Sequence, residues 1–280
     1  MAAPQFVAVG HVTLDRIRDE VRPGGAVLYA AIAAHRLGFS AGILTSHADD
    51  FPLDLIPPQI EVVTVPSDVT TTFEHHLQST PRTLRVSSVA RTLTAADVPE
   101  DWRDGPLVLL APVANEVDPD VATAFTGATL AAAAQGWTRA LGPDGAVGSS
   151  LWTPSDALLA RLQAIFVSNE DVIGQEEAAI EWFQRVPLGV LTAGRAGALL
   201  FVNGERYEVA PRRTREVDPT GAGDVFAAAF LTRYESDGDP WEAAAAASCA
   251  ASLSVEAAGI TGVPDRASFD AALRAHQRDG

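Results

Sequence analysis

Short apolar runs alternate with helix-patterned stretches along most of this chain, and that alternation narrows the fold more than any other feature. Phe6–Val9, Ala41–Thr45, Leu107–Leu110, Ala164–Val167, Val190–Thr192 and Ala198–Val202 read as strands buried on both faces. Between several of them lie helical stretches. Val27–Leu37 is stopped by Gly38, Ser155–Leu162 is entered through Thr153-Pro154-Ser155, and Glu176–Phe183 is a third. The order predicts an α/β fold: a mostly parallel central sheet flanked by helices. No Pro/Gly/Ser linker and no internal repeat divides the 280 residues, so a single domain over 1–280 is expected.

Two stretches break the alternation. Residues around His11–Arg22 and Glu61–Arg91 are rich in Val, Thr and charged side chains and lack helical spacing. Glu61–Val65, Thr70–Leu77 and Thr83–Ala90 read as strands with a polar face. They form either a small sheet projecting from the main one as a lid, or a plain antiparallel extension of it.

Charge excludes some partners. There are 36 acidic residues against 20 basic ones, a formal charge of -16, and such a surface repels nucleic acid and anionic lipid. No apolar run approaches the ~18 residues of a membrane helix, and Met1–Gly10 lacks the basic start of a signal peptide, so a cytoplasmic protein is expected. Cys249 is the single cysteine, which rules out an intrachain disulfide; it reads as a small buried apolar residue. The six His residues, His75-His76 included, show no metal spacing and read as structural. All 20 basic residues are Arg, and the absence of Lys excludes a P-loop lysine, a protein-kinase strand lysine and Schiff-base chemistry. Any nucleotide phosphate must be met by backbone amides, Arg and metal.

The segment Val217-Asp218-Pro219-Thr220-Gly221-Ala222-Gly223-Asp224-Val225-Phe226 carries the chemistry. Pro219 ends a preceding strand, Thr220–Gly223 make a small-residue turn, and a helix follows from about Asp224 to Tyr234, with Phe226, Phe230 and Tyr234 at helical spacing. Amides at a helix N-terminus lack intrahelical partners, and Gly221 and Gly223 let an anion approach them. Asp224, in the first turn, is placed as a general base beside that anion site. The plain alternative is a favourable first-turn acid next to a tight turn.

Asp218-Pro-Thr-Gly-Ala-Gly-Asp224 followed by a small, apolar helix resembles the C-terminal signature of the ribokinase (PfkB) carbohydrate kinase family. The resemblance extends along the chain in order. Gly10 through Asp15 is similar to the family's first strand and substrate-binding acid. Gly24-Gly25, leading into Ala30–Leu37-Gly38, resembles its double-glycine helix. Thr192-Ala193-Gly194-Arg195-Ala196-Gly197 resembles the turn lying along the nucleotide phosphates. What the resemblance implies is a ribokinase-like fold with a small β lid, in segments of roughly 11–22 and 61–91. The implied activity is ATP- and Mg2+-dependent phosphorylation of a hydroxyl on a sugar, cyclitol or related polyol. Asp224 would be the base, with Gly221, Ala222 and Gly223 as the anion hole. Asp15, Gly24, Gly25, Tyr29 and Arg139 would hold the acceptor. Thr192, Gly194, Gly197, Thr220 and Ser248 would lie along the nucleotide.

The chain departs from the family pattern in places. Tyr29 replaces a frequent Asn, which points to an inositol-kinase-like branch. Gln135 and Trp137 replace two of the three residues of Asp-x-Asn-x-Arg, while Arg139 matches. Around Ser168-Asn169-Glu170-Asp171 the family's Asn-x-x-Glu is degraded or shifted by one residue, leaving Glu170 and Asp171 as candidates to organise magnesium. Asp218, with carbonyls near Gly259, is the candidate for a monovalent cation such as K+. Arg82 and Arg85 either recognise a phosphorylated sugar or solubilise a strand edge. The rivals are a nucleoside kinase of the same family, with Tyr29 and Phe73 as a base slot, and a non-catalytic nucleotide- or sugar-binding protein. Pairing of two lids makes a homodimer an expectation.

Overall fold

The computed structural model describes residues 3–76 and 83–279. Its first part contains β1 (Phe6–Val9), β2 (Thr13–Ile17), β3 (Glu20–Gly24), α1 (Ala26–Arg36), β4 (Ala41–His47), β5 (Glu61–Pro66), β6 (Thr71–His76), β7 (Thr83–Ser88) and β8 (Leu107–Leu110). Next come β9 (Thr129–Ala133), the hairpin β10 (Arg139–Leu141) and β11 (Val147–Ser149), α2 (Asp156–Leu159), β12 (Leu162–Ser168), α3 (Glu176–Phe183), β13 (Leu188–Thr192), β14 (Ala198–Val202) and β15 (Glu205–Val209). The chain closes with α4 (Ala222–Asp237), α5 (Pro240–Ser254) and α6 (Arg266–Asp279).

Nine strands form the main sheet in the order β15-β14-β13-β12-β9-β8-β1-β4-β5. All pairs from β13 to β5 are parallel, and β14 and β15 complete one edge as antiparallel strands. The continuous apolar runs follow from burial on both faces. Phe6 and Ala8 point into the core built with α1, α4 and α5, while Val7 and Val9 point into the core built with α2 and α3. Leu107 and Leu109 alternate with Val108 and Leu110 in the same way. Across the first core, Phe226, Phe230 and Tyr234 stack along α4, and Phe166 of β12 meets Phe226 and Phe230 edge-on. Those rings fix α4 against the sheet and so fix the height of its N-terminus.

Two expectations need correction, and one strand was overlooked. Glu61–Val65 does not belong to the projecting sheet: β5 pairs in parallel with β4 at the edge of the main sheet, and its polar face is the half-exposed face of an edge strand. The helix expected over Ser155–Leu162 is the single turn α2, because Leu162 already pairs with Leu130 as the first residue of β12. β9 escaped notice, since Thr129-Leu-Ala-Ala-Ala carries helix-favouring alanines; in the middle of the sheet its small side chains are buried between two helix layers.

A second sheet of four strands, β3-β2-β6-β7, stands apart from the main one. The strands expected over Thr70–Leu77 and Thr83–Ala90 supply β6 and β7; Leu77 and Arg82 lie outside the described residues. The β10–β11 hairpin extends this sheet, with an Arg85–Ala146 bridge and a hydrogen bond from the Val86 amide to the Gly145 carbonyl (2.8 Å). Buried His11, just after β1, joins the two sheets: Nε2 lies 2.9 Å from the Arg91 carbonyl and Nδ1 2.7 Å from Thr71 Oγ1. The carbonyl can only accept, so Nε2 carries a proton. Val12, at the other end of the passage, donates its amide to Thr45 Oγ1 (2.9 Å).

The passage from β3 into α1 runs through Gly25, the N-cap, at φ 99°. A Cβ there would overlap the His11 carbonyl. Gly25→Ala should therefore cost about 1–3 kcal/mol in urea unfolding, since both the dihedral and the contact oppose it. Gly127→Ala, where a Cβ would meet nothing within 4 Å, should stay within about 0.5 kcal/mol of wild type.

Candidate active site

The turns after β1, β8, β9, β12 and β13 all leave the carboxyl ends of parallel strands, the edge at which open α/β sheets place their ligands. The N-terminus of α4 meets them there. Gly221 caps the helix in the left-handed region, at φ 76° and ψ 0°, and the Tyr29 ring fills the space that a Cβ at this position would need. The amides of Gly221 and Gly223 have no partner among the described residues, whereas that of Ala222 donates to the Pro219 carbonyl at 3.2 Å. Two of the three expected anion-hole donors are thus open, and the third is turned inward.

Asp224 lies in the first turn of α4, and its own amide donates to the Gly221 carbonyl (3.1 Å). Burial pushes its carboxyl up to about 7, the Asp171 charge adds to the rise, and the Arg139 charge opposes it. The helix dipole alone would have kept this acid strongly ionised; desolvation outweighs it.

Arg139 opens β10 and reaches back into the cleft. Its Nη1 donates to the Val113 carbonyl (2.7 Å), and its guanidinium lies 5.3 Å from the centre of the Phe73 ring. Burial lowers its pKa, and the carboxylates of Asp171, Glu116, Asp224 and Asp15 oppose that shift. The cation is therefore surrounded by acids from four parts of the chain. Asp171 is held from two sides, by Gln135 Nε2 on Oδ1 (3.2 Å) and by the Ser168 amide on Oδ2 (2.9 Å). Asp171 is therefore turned inward toward Gln135 and the Ser168 amide, and Glu170 is exposed. Among the described residues no group of three or more His, Cys, Asp or Glu side chains forms a metal cluster. One carboxylate suits magnesium when phosphate oxygens and water complete its shell. Trp137 belongs to the opposite core, stacked on Trp152 with its indole N–H on the Val117 carbonyl (2.9 Å).

The small sheet closes the other side. Arg22, Asp15, Phe73 and Val86 lie directly opposite one another across its four strands and share one face. Asp15 is buried; it accepts from Thr13 Oγ1 (3.0 Å), and His75 Nε2 is 4.0 Å away. Gly24 passes so close to this carboxylate that a Cβ would overlap it. Tyr29 is 3% exposed; burial raises its hydroxyl's pKa, and the charges of Asp15, Asp218 and Asp224 raise it further. Arg85 faces away from this cleft, with Asp144 at 3.8 Å.

Asp218 sits beneath the turn. Its oxygens accept the amides of Thr220 (3.0 Å) and Gly259 (3.1 Å), and Arg22 Nη1 of the small sheet lies 3.7 Å away. Burial pushes its pKa up, but these hydrogen bonds and Arg22 bring it below the usual range. With N–H groups and a guanidinium already on the carboxylate, the residues present do not fit a monovalent cation there. Thr192 ends β13, with its carbonyl on the Asn169 amide (2.8 Å), and Gly194 and Gly197 shape the next turn at φ 53° and φ 92°. Ser248 is placed differently from the expectation: it is buried in α5, and its hydroxyl donates to the Ala210 carbonyl (3.0 Å), tying α5 to the segment after β15.

Sequence reasoning passed over Glu116, His11 and Arg22. A clue to Glu116 was an acid set between Pro112-Val113-Ala114 and Val117; His11 and Arg22 gave no comparable sign.

The inositol 3-kinase of Zea mays is 34% identical over 153 residues, covering 53% of this chain and 39% of the maize protein, so the chain spans well under half of that relative. A pyrophosphate-dependent kinase in the ribokinase family, solved as a sulfate complex, superposes with a TM-score of 0.82 at 22% identity, covering 95% of this chain and 99% of that one. The ribokinase of Arabidopsis thaliana, solved with ribose and ATP, gives a TM-score of 0.71 at 21% identity over 97% and 99%. No helix among the described residues is long and apolar enough to cross a membrane. Residues 161–266 match the model of the pfkB family carbohydrate kinases, and the described chain has a ribokinase-like α/β architecture.

Proposed function

We propose that this protein is an ATP-dependent kinase that phosphorylates a hydroxyl of a cyclitol, sugar or related polyol. The observation that carries this is Asp224, a desolvated carboxyl pushed up to about 7 in the first turn of α4, next to open amides at Gly221 and Gly223 and to the cation Arg139. A base needs a pKa near the working pH, and a transferring phosphoryl group needs donors already aimed at it. Asp224 takes the proton of the acceptor hydroxyl as that oxygen attacks phosphorus. The two open amides and Arg139 hold the phosphoryl oxygens, and Asp15 accepts hydrogen bonds from other hydroxyls of the acceptor. Magnesium, held through Asp171, would neutralise phosphate charge. The small sheet serves as the lid that excludes water, with Arg22 reaching Asp218 across the cleft.

The cyclitol or sugar acceptor is favoured over a nucleoside because both candidate rings are already covered. Phe73 lies under the Arg139 guanidinium, and Tyr29 packs against Gly221. A non-catalytic binding protein has no use for a half-buried acid held near neutrality. On the donor side, one observation favours a second candidate, pyrophosphate. Arg212 and Thr214 both bond Glu256 (2.8 and 2.6 Å), and Thr214 also bonds the Ser252 carbonyl (2.9 Å), so the segment after β15 is latched to the end of α5 that the family resemblance assigns to adenine. A panel of inositols, sugars and nucleosides, run with ATP and with pyrophosphate, separates these cases. Cyclitol- or sugar-stimulated ADP release is expected; phosphate release with pyrophosphate alone would replace ATP as the donor.

Asp224→Asn should lower kcat by about 10²–10⁴-fold while donor binding persists. The wild-type kcat/KM should rise with pH and level off above about 7, as Asp224 loses its proton. Stability should run the other way. A carboxyl whose folded pKa lies above the ordinary 3.8 stabilises the fold only while protonated, and that contribution fades as pH rises from about 4 through about 7. Asp224→Asn should therefore raise Tm at pH 8 and leave it nearly unchanged at pH 4, which a thermal melt at the two pH values reads directly.

A further inference from the structure

Between β8 and the following 3-10 turn, residues Val113–Glu116 double back beneath the cleft. Glu116 is 1% exposed, and its carboxylate gathers the backbone of two separate loops. Oε1 accepts the His11 amide (3.0 Å) and the Val113 amide (2.9 Å); Oε2 accepts the Val113 amide (2.9 Å) and the Ala114 amide (2.6 Å). The turn so formed grips Arg139 at both ends. The Val113 carbonyl takes Arg139 Nη1 at 2.7 Å, and Asn115, at φ 59°, donates its side-chain amide to the Arg139 carbonyl at 2.7 Å. Glu116 itself has no direct ion-pair partner among the described residues.

We propose that Glu116 is a positioning residue for phosphoryl transfer, holding the Val113–Glu116 turn so that Arg139 is fixed between Asp15 and Asp224; this rests on the assignment of Arg139 to the reacting groups. Chemistry favours a carboxylate here over any other side chain. Three amide N–H groups converge on two oxygens, and an ionised carboxylate is acceptor-only on both. A glutamine would set its own N–H₂ against one of these amides. An apolar residue would leave all three buried amides unpaired. A buried carboxylate in no direct ion pair is costly to keep, and amides alone could be satisfied by a backbone turn or a water. The carboxylate brings something further: one group sets both the exit of β1, which leads to Asp15 on β2, and the turn that aims Arg139. Acceptor side and phosphoryl side are thereby referred to the same pair of oxygens.

The test is a double-mutant cycle in the full chain, read by single-turnover kinetics with enzyme in excess so that slow variants are still measured. Glu116→Gln should lower kcat at least about tenfold with the donor KM within about twofold, the pattern of a misplaced group and not of lost binding. In an Arg139→Ala background the same change should cost less than about twofold, because its intermediary is already gone. Equal losses in both backgrounds overturn the proposal and leave Glu116 a structural residue. Should Glu116→Gln fail to fold, Asn115→Gly keeps the left-handed backbone and removes only the bond to the Arg139 carbonyl. It should lower kcat at unchanged Tm in the wild-type background alone, and a loss that persists with Arg139→Ala overturns the proposal. If Arg139→Ala by itself leaves turnover intact, the assignment of Arg139 fails and this proposal with it, while an Asp224→Asn loss would keep the kinase function standing.

Discussion

One buried guanidinium holds the cleft together. Asp15, Asp171, Asp224 and Glu116 come from the small sheet, from the turn after β12, from α4 and from the turn after β8, and Arg139 is the cation on which all four act. Four carboxylates converging without it would repel one another and each would be desolvated at high cost. The cation in turn depends on the carboxylates, since burial alone pulls its pKa down. Burial is the main reason why Asp224 is poised and not fully ionised, and the shared cation only moderates the rise. Asp224 receives part of that one positive charge, while Asp171 pushes against it. Donor phosphates, arriving with magnesium, would alter that balance at the point where the reaction requires a free base.

The small sheet is tied to that cation by packing and by hydrogen bonds. Phe73 of β6 lies against the Arg139 guanidinium, and the hairpin that begins at Arg139 continues into the Gly145–Val86 pairing on β7. His11 and Thr71 fasten the root of the sheet, and Arg22 touches Asp218 at its far edge. Arg139 is held at the same time from the main sheet, by the Val113 carbonyl and the Asn115 side chain, so it stands where the two sheets meet. Charge and shape of the cleft are coupled through few residues.

Much of this was legible in the sequence, and the failures have physical causes. The doubly buried strands announced themselves because both faces need apolar side chains, as at Phe6–Val9 and Leu107–Leu110. The Gly221–Asp224 turn was legible because few residue types tolerate a left-handed cap under a ring such as Tyr29. β9 was not, because alanine favours helix locally and only its position mid-sheet decides otherwise. β5 was misplaced because an edge strand and a projecting strand carry the same polar-faced pattern; which sheet it joins is a long-range choice, made by pairing with β4. Asp171 could be distinguished from Glu170 only by the direction each side chain takes, which Gln135 and the Ser168 amide decide. Glu116 was hidden for a related reason. Its partners are backbone amides, and backbone amides leave no mark on a sequence.

The proposed acceptor class rests on what the cleft lacks as much as on what it holds. A nucleobase needs a free aromatic or apolar slot, but the two rings at hand are spent on the protein itself, Phe73 on Arg139 and Tyr29 on Gly221. What remains facing inward is polar and mostly acidic: Asp15 with His75 nearby, Asp224 and Asp171. Carboxylates are acceptors only, so they select for ligands rich in donors and against anionic ones. A neutral polyol offers many hydroxyl donors and no charge, and Arg139 and Arg22 are already engaged with protein carboxylates. Tyr29 strengthens the preference. In place of an amide side chain it presents one hydroxyl of raised pKa beside Gly259, a neutral donor at the edge of an acidic floor. A ring whose every carbon bears a hydroxyl matches such a floor from more orientations than a furanose does, and this is the physical ground for proposing a cyclitol ahead of ribose.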